Sequence, residues 1–223
     1  MAGAATRDEL IAVAERLFAE RGIDAVSLRE IGAAAGQRNN SAAQYHFGSR
    51  DGLVDAIFES RMAPIDRHRQ AMIAELEAAG RSSDLPALCE AFVLPLAAVA
   101  GDGAGPSWYA RFLAQVVFDP DFDVLARRRR ALTSGLRRVI TLLDARLGQL
   151  PPVVRGERLE LAATLVVHGL AQRERARQNA GRRRDPLWAV FAADLVDAMV
   201  GVLSAPVSAT TRSAARAAAR RSA

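Results

Sequence analysis

Neutral polar side chains cluster between residues 39 and 46, and their chemistry is suited to reading the edges of DNA bases. They are Asn39, Asn40, Ser41 and Gln44. Amide and hydroxyl groups both donate and accept hydrogen bonds at base edges without carrying a fixed charge. No acidic residue occurs between Glu30 and Asp51, so nothing in this stretch repels phosphate. The pattern favours contact with a nucleic acid.

The side chains around this cluster complete a candidate DNA-binding set. The additional members are Ser27, Arg29, Arg38, Tyr45, His46 and Arg50. Basic and hydroxyl groups that contact phosphates fix a protein's register on a duplex, whereas contacts to bases give sequence preference. An ordinary helical hairpin with a solvated polar helix would contain the same residue types. This window alone leaves that alternative open.

Two short helices joined by a tight turn are predicted to position the candidate set. Ser27 and Glu30 have the S-x-x-E spacing of a capping box, which predicts that a helix begins there. Gly36 is expected to end that helix, because glycine tolerates left-handed backbone. Asn39 is a suitable N-cap for a second helix from Asn40 to His46. In a helix-turn-helix, the second helix enters the major groove of DNA.

A further helix is predicted before this pair, from Thr6 to Arg21. Thr6 and Glu9 form another capping box, and Gly22 is placed to end the helix. Leu10, Leu17 and Phe18 recur at helical spacing. We expect these apolar residues to pack beneath the helix-turn-helix and hold its second helix at a fixed angle.

The segment from Thr6 to Ile57 resembles the DNA-binding part of the TetR family of bacterial transcriptional regulators. The resemblance is carried by S-L-R-E-I-G-A-A-A-G, which starts at Ser27, and by Y-H-F-G-S-R-D-G-L, which starts at Tyr45. Three details depart from the usual family pattern: one extra residue before Asn39, the spacing of Tyr45 from Phe47, and Arg50 in place of lysine. The resemblance implies a DNA-binding head followed by a helical body.

The rest of the chain is also predicted to be helical. After a helix from Ser49 that Pro64 kinks or ends, we expect helices at 84–100, 107–118, 122–147, 155–179 and 187–203. The predicted fold is all-α, with about nine helices. It comprises a three-helix DNA-binding domain over residues 1–50 and a helical-bundle ligand-binding and dimerisation domain over 51–205. Residues 206–223 are rich in Ala, Ser and Arg and are predicted to form a disordered basic tail.

A group of aromatic and polar side chains in the body could line a ligand pocket. Its members are Phe92, Trp108, Arg111, Phe112 and Gln115. The same aromatic residues would equally suit a solid core, and periodicity does not separate the two cases. The family resemblance favours a cavity for a small apolar molecule among the middle helices.

The last two long helices of the body have broad apolar faces that contain small residues. The candidate dimer-interface residues are Leu159, Ala163, Val166, Val167, Leu170, Phe191, Leu195, Met199 and Val202. Two such helices suit a four-helix interface between two protomers. The alternative is that both faces are buried within one chain. The resemblance favours the dimer, since family members pair through these helices.

Other classes of function have little support in the sequence. The three histidines are scattered, and there is no G-x-S-x-G, Walker loop or G-x-G-x-x-G motif. We therefore expect no catalytic site, metal or cofactor. The formal charge is +5, but residues 1–50 contain six arginines and six acids, so net charge is weak evidence for nucleic-acid binding. The single Cys89 and the absence of a long apolar run favour a cytoplasmic protein without a membrane contact.

Together these observations predict a ligand-responsive regulator of transcription rather than an enzyme. The resemblance implies a repressor that binds a palindromic, double-stranded operator as a homodimer. A small apolar effector of unknown identity would release it. The alternative is a helical ligand carrier or adaptor that does not bind DNA.

Overall fold

Helices form all the regular structure in the described part of the chain. The computed structural model describes residues 2–37, 41–101, 107–117, 133–181 and 185–221, with side chains from residue 6 onward. The helices are α1 (Ala2–Arg21), α2 (Leu28–Ala34), α3 (Ala42–Phe47), α4 (Arg50–Ala78), α5 (Leu85–Gly101), α6 (Tyr109–Val117), α7 (Ser134–Arg146), α8 (Pro152–Asn179), α9 (Trp188–Ser204) and α10 (Ala209–Arg221). This confirms the predicted all-α class.

The boundaries of the N-terminal helices follow from local sequence chemistry. The Ser27 hydroxyl accepts a hydrogen bond from the Glu30 N–H at 3.2 Å, and the Glu30 carboxylate accepts one from the Ser27 N–H at 2.8 Å. This is the predicted capping box. Gly22 adopts a φ of +87° directly after α1, a left-handed conformation that glycine permits.

Helix α4 connects the N-terminal head, formed by α1, α2 and α3, to the body, formed by the helices from α5 onward. It begins after Ser49, whose side chain accepts a hydrogen bond from the Gly52 N–H. The helix runs for 29 residues and includes Pro64. Pro64 lacks a backbone N–H, but it lies on the exposed side of the helix. Of the two predicted outcomes, a kink or an end of the helix at Pro64, the structure excludes the end, because the helix continues to Ala78.

The buried apolar side chains form one continuous cluster from Leu10 in α1 to Leu203 in α9. Helix α1 packs both against α2 and α3 and against α6 of the body. Phe18 stacks on Phe112 with 6.3 Å between ring centroids. Phe58 of α4 lies 5.4 Å from the same Phe112 ring. The head and the body thus share a core around these three rings.

Two buried polar side chains of α4 hold the body helices in place. Asp66 accepts hydrogen bonds from the Thr133 hydroxyl and from the Gly135 N–H, and so it binds the N-terminus of α7. Arg69 donates to the carbonyl oxygens of Ala91 and Phe92 at 3.2 Å each. Pro95 lies four residues after Ala91 and has no N–H to offer that carbonyl.

The structure differs from the predicted elements at four places. Helix α1 begins at Ala2, before the predicted start at Thr6. The second helix of the helix-turn-helix begins at Ala42, and the predicted cap Asn39 lies outside the described residues. Of the helix predicted over 122–147, residues 134–146 are helical, and the part before Thr133 lies outside the described residues. Residues 209–221 form helix α10 where a disordered tail was predicted, which makes ten described helices rather than nine. Alanine is the strongest helix former, and it accounts for six of the 13 residues of that segment.

No single described helix has the length and apolar character to cross a bilayer. The bent pair α9 and α10 satisfies that test only when the two helices are taken together.

Candidate nucleic-acid interface

Helix α3 presents an exposed polar face at the surface of the head. The Tyr45 side chain is 85% exposed, and Ser41 and Gln44 are exposed as well. The Gln44 amide N–H donates to the Gly48 carbonyl oxygen at the end of its own helix. The His46 ring lies edge-on to Tyr45, with 5.3 Å between centroids. An amide, a phenol and an imidazole therefore lie within two turns of helix.

Apolar packing fixes the position of α3 beneath this face. Ala43 is buried, and Phe47 packs against the core. The Arg7 guanidinium lies over the Phe47 ring at 5.5 Å. A Cβ at position 52 would lie 2.1 Å from the Phe47 carbonyl oxygen, so Gly52 is what allows α4 to start so close to the end of α3. The orientation of α3 is thus set by α1 and α4.

The charged members of the predicted DNA-binding set lie in different environments. Arg29 is exposed on the second position of α2. Arg50 forms an ion pair with Asp24 at 2.7 Å, so its guanidinium already has a partner in the head. Ser27 is engaged in the capping box. Arg38, Asn39 and Asn40 lie outside the described residues.

The exposed acids of the head are partly neutralised by arginines. Arg21 contacts Glu30 at 3.0 Å. Hydrogen bonds from the Ser27 backbone and hydroxyl, followed by that of Arg21, lower the pKa of Glu30 to about 2. Asp24 is paired with Arg50 as described above. Pairing of these two acids reduces their repulsion of a phosphate backbone.

A buried ion pair connects the head to the body. Glu15 of α1 is 1% exposed. Its two carboxylate oxygens accept hydrogen bonds from Arg61 of α4, at 2.6 Å from Nε and 3.1 Å from Nη2. One of these oxygens also accepts from the Trp108 N–H at 3.3 Å. Glu15 therefore ties α1 to α4 and to the start of α6.

A second buried carboxylate lies at the same end of α6. Glu174 of α8 is fully buried and accepts a hydrogen bond from the Arg111 N–H at 3.0 Å. Its other oxygen, Oε1, has no hydrogen-bond partner. Burial raises the pKa of Glu174 to about 7, and the charge of Glu15 adds to that rise. The N-terminus of α6 thus meets one carboxylate from the head and one from the body.

The predicted pocket residues lie in different environments in the described part of the chain. Phe112 is fully buried in the shared core. Phe92 is partly buried, with the Arg69 guanidinium 6.0 Å from its ring. Trp108 lies against the Arg111 guanidinium at 5.2 Å. Arg111 and Gln115 instead line an open groove of about 400 Å³ between α1, α6 and α8.

A larger groove of about 610 Å³ lies between α4, α5 and α9. His68, Glu90 and Asp197 contribute polar groups to it, and Trp188 contributes an aromatic one. Asp185 also lines this groove, but it is held by Arg173 at 2.5 Å. None of the predicted pocket residues lines this second groove.

Most of the predicted dimer-interface side chains are buried within their own chain. Val166, Val167, Leu170, Leu195 and Met199 belong to the core, while Leu159, Ala163, Phe191 and Val202 are partly buried. A side chain that is fully buried in one chain cannot also form the surface between two protomers. The exposed large apolar side chains on these helices or at their ends are Val153, Leu161, Leu165, Leu187 and Val190. The dimer interface itself stays a prediction.

The described residues contain no group of three or more His, Cys, Asp or Glu side chains placed to hold a metal ion. Cys89 is a buried free thiol. Burial, with a smaller effect from Glu90, raises the pKa of Cys89 to about 12. The thiol therefore stays protonated near neutral pH.

Sequence reasoning missed the polar groups at the junction of head and body. Glu15 was detectable in part, because it lies on the apolar face of α1 between Ile11 and Phe18. A charged residue at a core position calls for a buried partner. The partner, Arg61, lies 46 residues away, and no local pattern identifies it.

Comparisons with known proteins agree with an N-terminal head followed by a helical body. A family model described as bacterial regulatory proteins, tetR family, matches residues 10–57. Another, described as the tetracyclin repressor-like C-terminal domain, matches residues 90–205. No curated protein matches the chain.

Two solved structures resemble the chain over most of its length. An alanine-substituted mutant of HlyIIR is 16% identical, with a TM-score of 0.53, and the match covers 91% of this chain and 97% of that one. A putative TetR-family transcriptional regulator from Mesorhizobium loti is 14% identical, with a TM-score of 0.48, and the match covers 91% and 98%. The likeness to HlyIIR shows a shared fold.

Proposed function

The chain belongs to the TetR family of bacterial regulatory proteins, and on that basis we propose that it is a cytoplasmic repressor of transcription. It binds a palindromic operator as a homodimer and leaves the operator when a small molecule binds the body. Membership of the family supports ligand-responsive, DNA-binding regulation as the general function. The operator, the effector and repression rather than activation are parts of this proposal.

The observation that carries the proposal is the exposed face of α3 on a rigid support. Tyr45 and Gln44 project from a short helix whose other side is buried. Amide and hydroxyl groups at such a position bind base edges or phosphates when the helix enters a major groove. Gln44 has to exchange its bond to the Gly48 carbonyl for a bond to DNA. We assign residues 1–50 to DNA binding and 51–205 to ligand binding and dimerisation.

The dimer is proposed to form through the exposed side of α8 and α9. Leu161 is 59% exposed and Val190 is 66% exposed, and both are large apolar residues on long helices. A two-fold axis beside these helices would present two copies of α3. Successive major grooves on one side of a duplex lie about 34–36 Å apart, so the dimer must match that spacing.

Coupling between effector and operator is proposed to run through the junction of α1, α4 and α6. Glu15, Arg61 and the start of α6 are joined by hydrogen bonds. A ligand that binds better to one arrangement of the body shifts the population of head positions by its difference in affinity. Because α1 is bonded to α6 as well as to α4, a shift of α6 is transmitted to the head.

The test is footprinting and affinity measurement on the DNA upstream of the gene. Gln44→Ala should weaken operator binding by about 1–3 kcal/mol and reduce selectivity against random DNA. Arg29→Ala should weaken binding to operator and random duplexes alike and reduce the salt dependence. The control is Gln149→Ala, which changes an exposed glutamine after α7. A protein that ignores every duplex at low salt would instead be the carrier or adaptor.

A further inference from the structure

We propose that the groove between α1, α6 and α8 is a binding site for a small oxyanion, either a carboxylate or a phosphate ester. We further propose that the anion competes with the head for the guanidinium of Arg111. The effect on DNA rests on the proposed function, whereas anion binding does not. The groove contains Arg111 and Gln115 of the predicted ligand pocket but none of its aromatic residues, so it suits a charged ligand rather than an apolar one.

The lining of the groove consists of hydrogen-bond donors above small side chains. The polar residues are Arg111, Gln115, His168, Gln172 and Arg175, and the small ones are Ala19, Ala114 and Ala171. The alanines leave room for a guest, because they contribute only a methyl group each. No acidic side chain is among these lining residues. A volume of about 400 Å³ suits a metabolite rather than a macromolecule.

Two guanidinium groups face this groove from neighbouring helices. Arg111 comes from α6 and Arg175 from α8. Burial lowers the pKa of Arg111, and the nearby charge of Arg175 lowers it further, against the opposite influence of Glu174 and Glu20. Two like charges at one site favour an anion between them. Arginine also binds carboxylate and phosphate with two parallel N–H groups.

Arg111 is at present bonded to the head. Its Nη2 donates to the Ala19 carbonyl oxygen of α1 at 2.9 Å, and its Nη1 donates to Gln178 at 2.7 Å. The Ala19 carbonyl is in the last turn of α1, where the helix itself supplies no donor. An anion that accepts two parallel hydrogen bonds from the Arg111 guanidinium has to displace one of these bonds. Displacing the bond to Ala19 frees the end of α1, which leads directly into the helix-turn-helix.

Anion binding is tested by isothermal titration calorimetry on the full-length protein. Inorganic phosphate and succinate are titrated separately, with sodium chloride used to hold ionic strength constant. Either anion should bind the wild type, and the comparison shows whether phosphate or carboxylate is preferred. Arg175→Gln should weaken binding about tenfold, since it removes a charged hydrogen-bond donor. Arg212→Gln, the same change on the exposed face of α10, should bind like the wild type.

The link to the head is tested by operator affinity in the same buffers. The preferred anion should weaken operator binding by the wild type and by Arg212→Gln at the same concentration, whereas Arg175→Gln should need about ten times more anion for the same effect. Equal calorimetric binding by all three proteins, or no binding by the wild type, would overturn the site. A weaker dimer for Arg175→Gln without any anion effect would also overturn it, because the groove would then belong to the subunit interface. Anion binding by a protein that ignores operator DNA would contradict only the proposed function.

Discussion

Substitution of Glu15 tests whether the head is fastened to the body by the buried ion pair. We consider Glu15→Gln, Arg61→Gln and the double variant. Glutamine removes the charge in both cases; it matches glutamate in size and is shorter than arginine. In the single variants, one charged partner remains beside a neutral amide. In the double variant neither charge remains. The stability loss of the double variant minus the summed losses of the two single variants therefore gives the coupling energy of the ion pair.

The expected magnitude follows from burial and geometry. Breaking a fully buried ion pair by removing one partner lowers stability by about 3–5 kcal/mol. Glu15 is 1% exposed, but the Arg61 side chain is 35% exposed, so water can solvate the arginine that remains. Exposed pairs contribute at most about 1 kcal/mol. We therefore expect Glu15→Gln to lower the free energy of unfolding by about 2–3 kcal/mol and the coupling energy to lie near 1–2 kcal/mol.

The assay is urea unfolding followed by far-ultraviolet circular dichroism, with all four proteins at the same pH. Operator affinity measured on the same samples reports the position of the head. An Arg16→Gln variant is the control, because its contact with Glu20 is long, at 3.7 Å, and more exposed. Additive effects of Glu15→Gln and Arg61→Gln would refute the reasoning. So would an unchanged operator affinity in a destabilised but folded Glu15→Gln protein.

Three further predictions concern the body. Burial raises the pKa of Glu174 from 4.5 to about 7, so between these pH values the folded protein keeps a proton that the unfolded chain releases. The free energy of unfolding should therefore fall by roughly 3 kcal/mol at most as pH rises from about 4.5 to 7. Urea titrations of Glu174→Gln should no longer show that fall. Arg69→Met should lower stability by about 1–3 kcal/mol, because a buried carbonyl loses its donor; Pro95→Ala should recover part of the loss by restoring a backbone N–H, and strictly additive effects would contradict this. Gly101→Ala would place a Cβ 1.9 Å from the Trp188 ring and should lower the thermal midpoint, with a stability loss of about 1–3 kcal/mol; the double variant with Trp188→Leu should be the more stable of the two.

The sequence was sufficient where the physical cause is local. The capping box of Ser27 and Glu30 sets the start of α2 through contacts three residues apart. Gly22 ends α1 because of its own backbone freedom. The all-α fold and the helix-turn-helix depend on such signals and on helical periodicity. These features could therefore be predicted from the residues alone.

Features that depend on contacts between distant residues could not be predicted. Arg50 belongs to the predicted DNA-binding set, and no local pattern identifies its partner in the structure, Asp24, which is 26 residues away. Val166 has the spacing of an interface residue, but only the packed bundle shows that its own chain already covers it. Periodicity identifies the apolar face of a helix without identifying the surface that the face meets.

The division of the apolar positions in α8 illustrates the same limit. Leu161 and Val166 are both apolar residues of α8, and the first is 59% exposed while the second is fully buried. The difference arises from the helices that pack against α8, among them α5, α6 and α9, which cover Val166 and leave Leu161 exposed. A prediction of the interface thus requires knowledge of how the helices pack, even when every helix has been assigned correctly.

The core that α1 shares with the body has a consequence for chimeric regulators. A graft of residues 1–50 onto the body of another regulator would bring Glu15 and Phe18 without their partners Arg61 and Phe112. The foreign body would then have to bury a carboxylate with no counter-charge and fit an aromatic ring into a site shaped for another side chain. A chimera should fold only when α6 and the first half of α4 are transferred together with the head. Over evolutionary time, DNA specificity in this chain is accordingly expected to change by substitutions on α3 rather than by exchange of the whole N-terminal module.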